Sequence, residues 1–553
     1  MVDKKKYGVV YTPDKLAEFT AELLYGEYGI ERDDKMTILD PACGESALLL
    51  AMKEKSTGTN RYIGIDIDED IINVNIINNG EDINYFYGDF LIQSGENSTL
   101  DFWLKKIGQV DCVIANPPWS SERLYKKEIL SREGFILADG QYDNYFLFIE
   151  QSLKILKMSG KAAFILPDSI FSDDAIRLRK LLCEKTHIFV IARLGEKIFP
   201  NVNRATTVII VGNELPTDDT RTKCFRLGTK ERKKFLNNEI NLMDCYLTSV
   251  HEVKQSRFSE TEECLFDIDL YEVEENLITK LEQDKINWNT KFSFGRGVEI
   301  SKSGNAVICK ECNFAQGYTK SQENTKKKVC TNCSKIIDFA DSKIVKVISE
   351  RKKEGMRKIY VGENLHRYMM SGHRYLKLGI QGINYKGKTL YTPPKILIRK
   401  TGLGINAFLD NESTYISQTV YSCQYIDREV DEPMEYYLAL LNSRIIYYYY
   451  LKKYGENEWK SHPYLTKKII FSLPLKKYIK SRLSSQICQL AQRLLISYDR
   501  DVDLKLEKKI FELYGLVDEE IMMVMDEINK LPDLSAINNM KFSKEEFEKC
   551  TDI

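Results

Sequence analysis

The sequence predicts an α/β protein whose N-terminal part is a doubly wound, mainly parallel sheet. Between Lys35 and Val211, short apolar runs typical of strands alternate with longer stretches in which apolar residues recur at helical spacing. Strands are predicted at 37–39, 62–65, 110–114, 161–166, 188–192 and 206–211, and helices at 46–55, 71–78, 145–158 and 175–183. This alternation favours strands that lie side by side and are joined by crossover helices.

The composition is that of a globular protein with several domains. The chain has 553 residues, a net charge near −1 and 43% hydrophobic residues, so two or three domains with substantial cores are expected. The polar start of the chain does not resemble a signal peptide, and no apolar run is long enough to span a bilayer. We therefore expect a cytoplasmic protein without membrane contact, whose 13 cysteines are mostly reduced.

A turn rich in small residues follows the first predicted strand. Asp40 is followed by a proline and then by Ala42, Cys43 and Gly44, and a helix begins near Ser46. In an open α/β sheet such a turn lies at the carboxyl end of a strand, where small residues let a ligand approach the backbone and the helix N-terminus offers free N–H groups. These residues are therefore candidates for binding a cofactor.

Two further acidic residues follow strand-like segments. Asp66, followed by Ile67, lies about twenty residues after the turn, where a carboxylate can accept hydrogen bonds from the ribose hydroxyls of a nucleoside. Asp89 and Phe90 can offer a carboxylate to an adenine amine and an aromatic face to its ring. A nicotinamide dinucleotide is disfavoured as the cofactor because the turn lacks the G-x-G-x-x-G pattern.

The tetrapeptide Asn116-Pro117-Pro118-Trp119 ends the apolar strand predicted at 110–114. Two prolines fix the backbone there, so Asn116 is presented at the sheet edge in a defined pose. Its side-chain carbonyl and the Pro117 carbonyl can both accept hydrogen bonds from one amine, which directs the nitrogen lone pair at the methyl group of a sulfonium. Trp119 supplies a ring on which a planar target can stack. The tetrapeptide therefore predicts methyl transfer to an exocyclic amine, promoted by positioning and electrostatics.

These motifs and their order resemble the amino-methylating DNA methyltransferases of the gamma arrangement, most closely their TaqI-like adenine-specific group. The resemblance extends from about Tyr7 to Val211 and implies S-adenosylmethionine as the cofactor. It also implies that the segment 11–13 closes over the methionine end of the cofactor, and that Phe199 stacks on the second face of a flipped base. The implied cofactor-binding residues are Tyr11, Thr12, Pro13, Asp40, Ala42, Cys43, Gly44, Asp66, Ile67, Asp89, Phe90 and Asn116. The implied catalytic residues are Asn116, Pro117, Pro118, Trp119 and Phe199.

Trp119 leaves the target base open between adenine and cytosine. The adenine group most often has tyrosine at this position, and tryptophan is also met in enzymes that methylate the cytosine 4-amino group. Those enzymes more typically begin the tetrapeptide with serine, so Asn116 favours adenine. Some RNA methyltransferases and glutamine methylases of release factors share similar tetrapeptides. An alternative of another class is a DNA-binding specificity subunit whose catalytic fold is vestigial.

The C-terminal half is predicted to recognise DNA. Its segments at 393–402, 416–419 and 437–443 resemble elements of TaqI-like specificity domains. Between Arg351 and Lys400, 13 basic residues stand against 2 acidic ones, with tyrosines between them. This composition suits a surface that follows DNA phosphates and, equally, a solvated face of a sheet.

Four cysteines in this half have the spacing of a zinc ribbon. Cys309 and Cys312 form one C-x2-C pair, and Cys330 and Cys333 form a second pair after a 17-residue spacer. Each pair can supply two thiolates of a tetrahedral site, and four thiolates leave no open position for a reacting water. We therefore predict that zinc is bound here in a structural role.

These patterns together predict a domain organisation and a function. A methyltransferase domain with a Rossmann-like fold is predicted at 1–215, a connecting segment at 216–287, an α+β target-recognition domain at 288–475 with the zinc ribbon at 305–336, and a helical region at 476–553. The predicted function is site-specific methylation of the adenine 6-amino group in double-stranded DNA, in restriction–modification or a related defence. The sequence contains no convincing nuclease motif, so a restriction endonuclease would be a separate partner.

Overall fold

The chain folds into two compact units in this computed structural model. The first unit is Met1–Glu274 with Lys452–Ser461, and the second is Glu275–Leu451 with His462–Ile553. The structure describes residues 11–28, 35–56, 58–93, 98–120, 124–200, 204–300, 304–318, 320–455, 464–531, 533–534 and 537–550. Tyr7, where the resemblance to the methyltransferases begins, lies outside these residues.

A nine-stranded mixed sheet forms the centre of the first unit, in the order β3-β2-β1-β4-β5-β7-β6-β8-β9. Its strands are β1 (Thr37–Asp40), β2 (Arg61–Asp66), β3 (Ile83–Tyr87), β4 (Val110–Ala115), β5 (Leu156–Pro167), β6 (His187–Gly195), β7 (Thr206–Gly212), β8 (Arg221–Arg226) and β9 (His251–Lys254). Neighbouring strands from β3 to β5 are parallel, and β7 runs antiparallel to both β5 and β6. This arrangement confirms the predicted doubly wound sheet, because β2 and β3 lie on one side of β1 and β4 lies on the other.

Helices cover both faces of this sheet. They are α1 (Asp14–Tyr28), α2 (Ala47–Lys55), α3 (Glu69–Asn79), α4 (Thr99–Ile107), α5 (Lys127–Arg132), α6 (Asn144–Ile155), α7 (Ile176–Lys185), α8 (Thr229–Leu236) and α9 (Leu242–Ser249). Ile38 and Cys112 pack into a core with α1 and α2, whereas Leu39 and Val113 pack into a second core with α4 and α6. Successive strand residues thus face opposite layers, which gives the three-layer architecture of an α/β protein.

The predicted elements of the sheet agree with the structure except at the end of α6. Apolar spacing predicted a helix over 145–158, but the helix ends at Ile155 and β5 begins at Leu156. Met158 is an exposed residue of that strand, with 82% of its surface accessible. An apolar residue that happens to continue the helical spacing, without being buried, therefore extended the predicted helix too far.

The region 216–287, predicted as a connecting segment, contributes strands to the sheet. β8 pairs in parallel with β6, and β9 pairs antiparallel with β8. In β8 only Thr222, Cys224 and Phe225 are buried, between residues that are mostly basic. Because β8 is short and polar, its sequence alone does not predict a strand. Its position in the sheet depends on pairing with β6 rather than on an alternation of apolar and polar residues.

The second unit contains several small sheets. Its strands are β10 (Phe292–Arg296), β11 (Asn305–Ile308), β12 (Ala315–Gly317), β13 (Lys327–Val329), β14 (Ile336–Asp338), β15 (Ile344–Lys346), β16 (Ile348–Ser349), β17 (Arg357–Tyr360), β18 (Leu365–His366), β19 (Met369–Met370), β20 (Arg374–Leu376), β21 (Lys395–Arg399), β22 (Ala407–Asp410), β23 (Tyr415–Ile416) and β24 (Val420–Tyr425). Two four-stranded sheets have the orders β10-β24-β21-β22 and β16-β20-β17-β23. β11, β12 and β13 lie within the predicted ribbon at 305–336, whereas β14, which pairs with β13, begins at its last residue, and β15, which pairs with β11, lies beyond it.

Helices dominate the C-terminal part. The remaining helices are α10 (Glu275–Glu282), α11 (Trp288–Lys291), α12 (Lys320–Thr325), α13 (Met434–Leu441), α14 (Arg444–Tyr454), α15 (Lys467–Ser472), α16 (Arg482–Ile496), α17 (Arg500–Tyr514), α18 (Asp518–Lys530) and α19 (Lys544–Lys549). The last four fall in the region predicted to be helical. Within the part of the chain that the structure describes, none of the helices has both the length and the apolar character that crossing a membrane requires.

A buried ion network joins distant segments of the second unit. The carboxylate of Asp503, in α17, lies 2.9 Å from the guanidinium nitrogens of both Arg367 and Arg444. Glu507, one turn later, lies 3.0 Å from Arg444. All four side chains are at most 2% exposed. Each charge is therefore held in a low-dielectric core, where the loss of one partner leaves the others uncompensated.

Candidate active site

The carboxyl ends of β1 and β4 lie side by side where the strand order reverses. β1 ends at Asp40 and pairs with β2 on one side and β4 on the other. β4 ends at Ala115, so the predicted catalytic residue Asn116 follows it directly. Such reversal points are the usual ligand sites of open α/β sheets.

The turn after β1 is held by side chains from its surroundings. Gly44 has a φ of 47°, a left-handed conformation that glycine adopts without steric cost. The Asp40 carboxylate accepts a hydrogen bond from the Ala42 N–H at 3.0 Å, and the Asn75 amide donates to the Gly44 carbonyl at 2.7 Å. Burial raises the pKa of Asp40 to about 8, and the nearby Asp66 carboxylate adds to the rise.

Asp66, at the end of β2, points at the same turn. One of its oxygens accepts a hydrogen bond from the Gly44 N–H and the other from the Asp68 N–H, both at 2.9 Å. Burial raises the pKa of Asp66, although these backbone hydrogen bonds act in the opposite direction. The carboxylate is thus fixed in orientation, and each oxygen retains a lone pair for a further donor.

Asp89, after β3, is also held by several donors. The N–H groups of Leu91 and Ile92 donate to Oδ1 at 2.9 and 3.2 Å, and the Tyr125 hydroxyl donates to Oδ2 at 2.7 Å. Burial raises the pKa of Asp89. Tyr125 could not be predicted as a site residue, because a single tyrosine after the tetrapeptide has neither periodicity nor motif spacing.

These residues surround a cavity of about 220 Å³. The predicted site residues in its wall are Tyr11, Thr12, Asp40, Ala42, Cys43, Gly44, Asp66, Ile67, Asp89, Phe90, Asn116 and Pro118. The wall also contains Tyr125 and, from α6, Asn144 and Phe148. The apolar spacing of α6 predicted a core helix and gave no indication of a site. Among the described residues, the predicted Pro13, Pro117, Trp119 and Phe199 lie outside the wall.

Phe90 lies in the wall but is largely covered by other rings. It is 2% exposed and packs against Phe148, with ring centroids 5.9 Å apart, and against Trp103 at 6.4 Å. Only the small exposed part of the Phe90 ring would therefore be available for the predicted contact with an adenine ring.

Asn116 is tied to the N-terminal segment. Its amide nitrogen Nδ2 donates a hydrogen bond to Thr12 Oγ1 at 3.1 Å. The next residue, Pro13, immediately precedes α1, and its carbonyl accepts hydrogen bonds from the N–H groups of Leu16 and Ala17. The structure thus brings the predicted motif at 11–13 directly to the predicted catalytic residue.

Trp119 and Phe199, both predicted to stack on a target base, contact each other. Their ring centroids are 5.0 Å apart with an edge-to-face angle of 80°. The Trp119 indole N–H donates to the Ile165 carbonyl at 3.3 Å, and the two rings are 6% and 1% exposed. The two rings predicted to stack on a base therefore lie next to each other, and in this conformation their contact leaves no space for a base between them.

The four predicted zinc ligands cluster in the second unit. Their sulfur atoms all lie within 4.8 Å of one another. The distances from Cys309 to Cys333 and from Cys312 to Cys330 are both 3.6 Å, too long for disulfide bonds. In each C-x2-C pair the first cysteine carbonyl accepts a hydrogen bond at 2.9 Å from the N–H four residues on, which belongs to Asn313 or Ser334. The two pairs therefore form matching turns that face each other.

Several basic residues of the stretch 351–400 bind acidic side chains of the protein. Arg367 pairs with Asp503 in the ion network, and the fully buried Lys395 pairs with Asp410 at 2.8 Å. Further ion pairs join Lys358 to Glu412, Arg374 to Glu363 and Lys386 to Glu299. Some of the basic side chains of this stretch therefore stabilise the protein itself, and only the others are available to bind a nucleic acid.

Comparison with known families decides the assignment of the chain. Residues 1–285 match the N-6 DNA methylase family, which is more than half of the 553 residues. The chain belongs to the N-6 DNA methylase family. Residues 357–475 match the TaqI-like C-terminal specificity domain, so the chain also contains the second domain type that the sequence predicted.

Two relatives of the chain are named as type II restriction or methyltransferase proteins. The type II restriction enzyme and methyltransferase RM.Eco57I of Escherichia coli is 31% identical over 201 residues, which are 34% of this chain and 19% of that protein. The type II methyltransferase M.BanIII of Aneurinibacillus aneurinilyticus is 29% identical over 216 residues, 36% of this chain and 37% of that protein. The chain thus spans well under half of the length of either relative. Among solved structures, the type I restriction-modification system methyltransferase subunit of Streptococcus thermophilus is 20% identical, with a TM-score of 0.36 over 46% of this chain and 58% of that chain.

Proposed function

We propose that the protein is a site-specific DNA methyltransferase of the gamma arrangement that methylates the 6-amino group of adenine in double-stranded DNA, using S-adenosylmethionine. The observation that carries the proposal is the position of Asn116, at the end of β4 and in the wall of a cavity that also contains Asp66 and Asp89. The order of the motifs supports the gamma arrangement, since the segment 11–13 precedes the cofactor turn and the turn precedes the tetrapeptide.

The residues of the cavity fit S-adenosylmethionine. Asp66 and Asp89 would accept hydrogen bonds from the ribose and the adenine amine, because backbone donors already fix both carboxylates. Tyr11 and Thr12 would close over the methionine end, and the left-handed Gly44 lets the backbone turn without a side chain in the cavity. When bound, this cofactor supplies an electrophilic methyl group on sulfur.

Asn116 would bind the target amine through its side-chain carbonyl, with the Pro117 carbonyl as the second acceptor. Two acceptors for the two N–H groups draw the nitrogen lone pair out of conjugation with the purine ring and orient it for attack. The nitrogen becomes an acidic ammonium on methylation, so its proton can leave to solvent without a strong base. Trp119 and Phe199 would stack on the base once they separate.

The substrate, the biological setting and the cellular compartment of this activity are also part of the proposal. Double-stranded DNA is the proposed substrate because the match to a TaqI-like specificity domain covers 357–475. Restriction–modification is the proposed setting, with a separate endonuclease for cleavage. A reducing cytoplasm is consistent with the thirteen cysteines, all of them described and none of them in a disulfide bond.

Nucleoside mass spectrometry tests this function. The purified protein is incubated with methyl-labelled S-adenosylmethionine and unmethylated genomic DNA, and the digested nucleosides are analysed. We expect label in N6-methyl-2′-deoxyadenosine. Label in 4-methylcytosine would show that the target base is cytosine rather than adenine. Label in added RNA would show that the substrate is RNA rather than DNA. Cofactor binding without any transfer would contradict an active enzyme and favour a DNA-binding specificity subunit.

We also propose that Cys309, Cys312, Cys330 and Cys333 bind one structural zinc ion. Zinc–sulfur bonds of about 2.3 Å in a tetrahedron place the sulfurs about 3.8 Å apart, which the observed 3.6 Å nearly matches. The apolar core around the cluster is small, so metal binding would supply much of the folding energy of the ribbon.

Replacing Cys309 by serine is expected to remove the zinc. We predict one zinc per chain in the wild-type protein and almost none in Cys309→Ser, measured by inductively coupled plasma mass spectrometry after dialysis. Limited proteolysis should then cut the variant within 305–336. Cys245→Ser is the matched control, because this partly exposed thiol lies in the first unit and should leave the zinc content unchanged. Full zinc content in Cys309→Ser would remove this cysteine from the proposed site.

A further inference from the structure

The hydrogen bond between Thr12 and Asn116 joins two residues that are 104 positions apart in the sequence. The donor is the amide nitrogen Nδ2 of Asn116, and the acceptor is the hydroxyl oxygen of Thr12, 3.1 Å away. Both residues lie in the wall of the cavity. This bond therefore acts on the side chain that the proposed reaction uses.

The two ends of an asparagine amide have opposite hydrogen-bonding roles. The oxygen accepts, whereas the nitrogen carries two hydrogens and can only donate. A target amine that retains both hydrogens needs hydrogen-bond acceptors. If the Asn116 amide were rotated, its N–H groups would face the N–H groups of the target amine, and the amide could not orient the lone pair of the amine. Rotation of the amide by half a turn would thus convert a productive site into an unproductive one.

We infer that Thr12 is a positioning residue whose hydroxyl anchors the Asn116 side chain at the cavity wall; this inference rests on the proposed function. Because the anchor is Nδ2, the hydrogen bond to Thr12 does not occupy Oδ1, the atom that the proposed reaction uses. Without this anchor the Asn116 side chain can adopt other conformations, including the unproductive one.

The location of Thr12 suits it for this role. It precedes Pro13, which restricts the backbone of the residue before it, and its β-branched side chain has few rotamers. Pro13 immediately precedes α1, whose Leu16, Ala17 and Thr20 are at most 1% exposed. The hydroxyl oxygen is thus presented by a well-packed helix start rather than by a free segment.

Thr12→Val removes the acceptor at nearly constant volume, and Thr12→Ser keeps it. We expect single-turnover methylation of duplex DNA, at saturating S-adenosylmethionine, to slow about tenfold in Thr12→Val and to stay within about threefold of wild type in Thr12→Ser. Cofactor dissociation constants, from isothermal titration calorimetry, establish saturation for each variant. A Thr12→Val enzyme that differs only in cofactor affinity, with a wild-type rate at saturation, would overturn the inference while leaving the proposed function intact. A wild-type protein that methylates neither DNA nor RNA would overturn both.

Discussion

Replacing Asn116 by alanine is expected to lower the rate of methyl transfer by about a hundred- to a thousandfold at saturating cofactor and DNA. The amide would contribute an acceptor that acts on the amine mainly as the nitrogen attacks, so its loss affects the rate more than ground-state binding. The dissociation constant of S-adenosylmethionine should change by no more than about threefold, because Asp66, Asp89 and the turn at 40–46 remain in place. Single-turnover kinetics and calorimetry measure the two quantities separately.

Asn75→Ala is the matched control for this experiment. Asn75 is a buried asparagine of the same unit, and its amide donates to the Gly44 carbonyl in the cofactor turn. Its loss should therefore weaken cofactor binding and change the saturated rate little, the opposite of the result for Asn116→Ala. Near-normal turnover in Asn116→Ala would show that this amide does not orient the amine, and the proposed mechanism would be wrong.

The parts of the site that the sequence predicted are those that local patterns encode. β1, β2 and β4 are short apolar runs, and each ends in a polar or small residue at the carboxyl edge of the sheet. Because parallel strands bring these ends together, the spacing of Asp40, Asp66 and Asn116 along the chain was enough to predict that they share one cavity. The cysteine pairs were equally predictable, since each C-x2-C turn is a local structure.

The parts that the sequence did not predict depend on contacts between distant segments. Tyr125 reaches Asp89, and the hydroxyl of Thr12 reaches Asn116, through hydrogen bonds that no spacing rule encodes. β8 joins the sheet because β6 offers an unpaired edge, and its own sequence is largely polar. The edge-to-face contact of Trp119 with Phe199 similarly depends on how the folded chain packs these two distant residues. The motifs indicated only that both rings belong to the same site.

The stability of the second unit is expected to depend strongly on Asp503. Asp503→Ala should lower the free energy of unfolding of this unit by about 3 kcal/mol or more, because it leaves Arg367 and Arg444 in the core without their shared carboxylate. Hydrogen exchange of peptides from α16 and α17, followed in increasing urea, reports on this unit specifically. Asp499→Ala is the control: its exposed carboxylate caps the same helix through the Val502 N–H, so its loss should cost only about 1 kcal/mol.

The effect of Asp503→Ala on stability should depend on pH. Burial by itself would raise the pKa of Asp503, but Arg367 and Arg444 outweigh it and lower the pKa to about 2. A carboxyl group whose pKa is lower in the folded than in the unfolded state, where it is about 3.9, stabilises the fold above that value and loses this contribution as pH falls toward 2. Burial raises the pKa of Glu507, so that residue contributes in the opposite sense. The stability difference between wild type and Asp503→Ala, from urea unfolding, should therefore be constant between pH 7 and 5 and shrink below about pH 4. A difference that persists unchanged to pH 3 would mean that lost packing, rather than the carboxylate charge, accounts for the effect of the substitution.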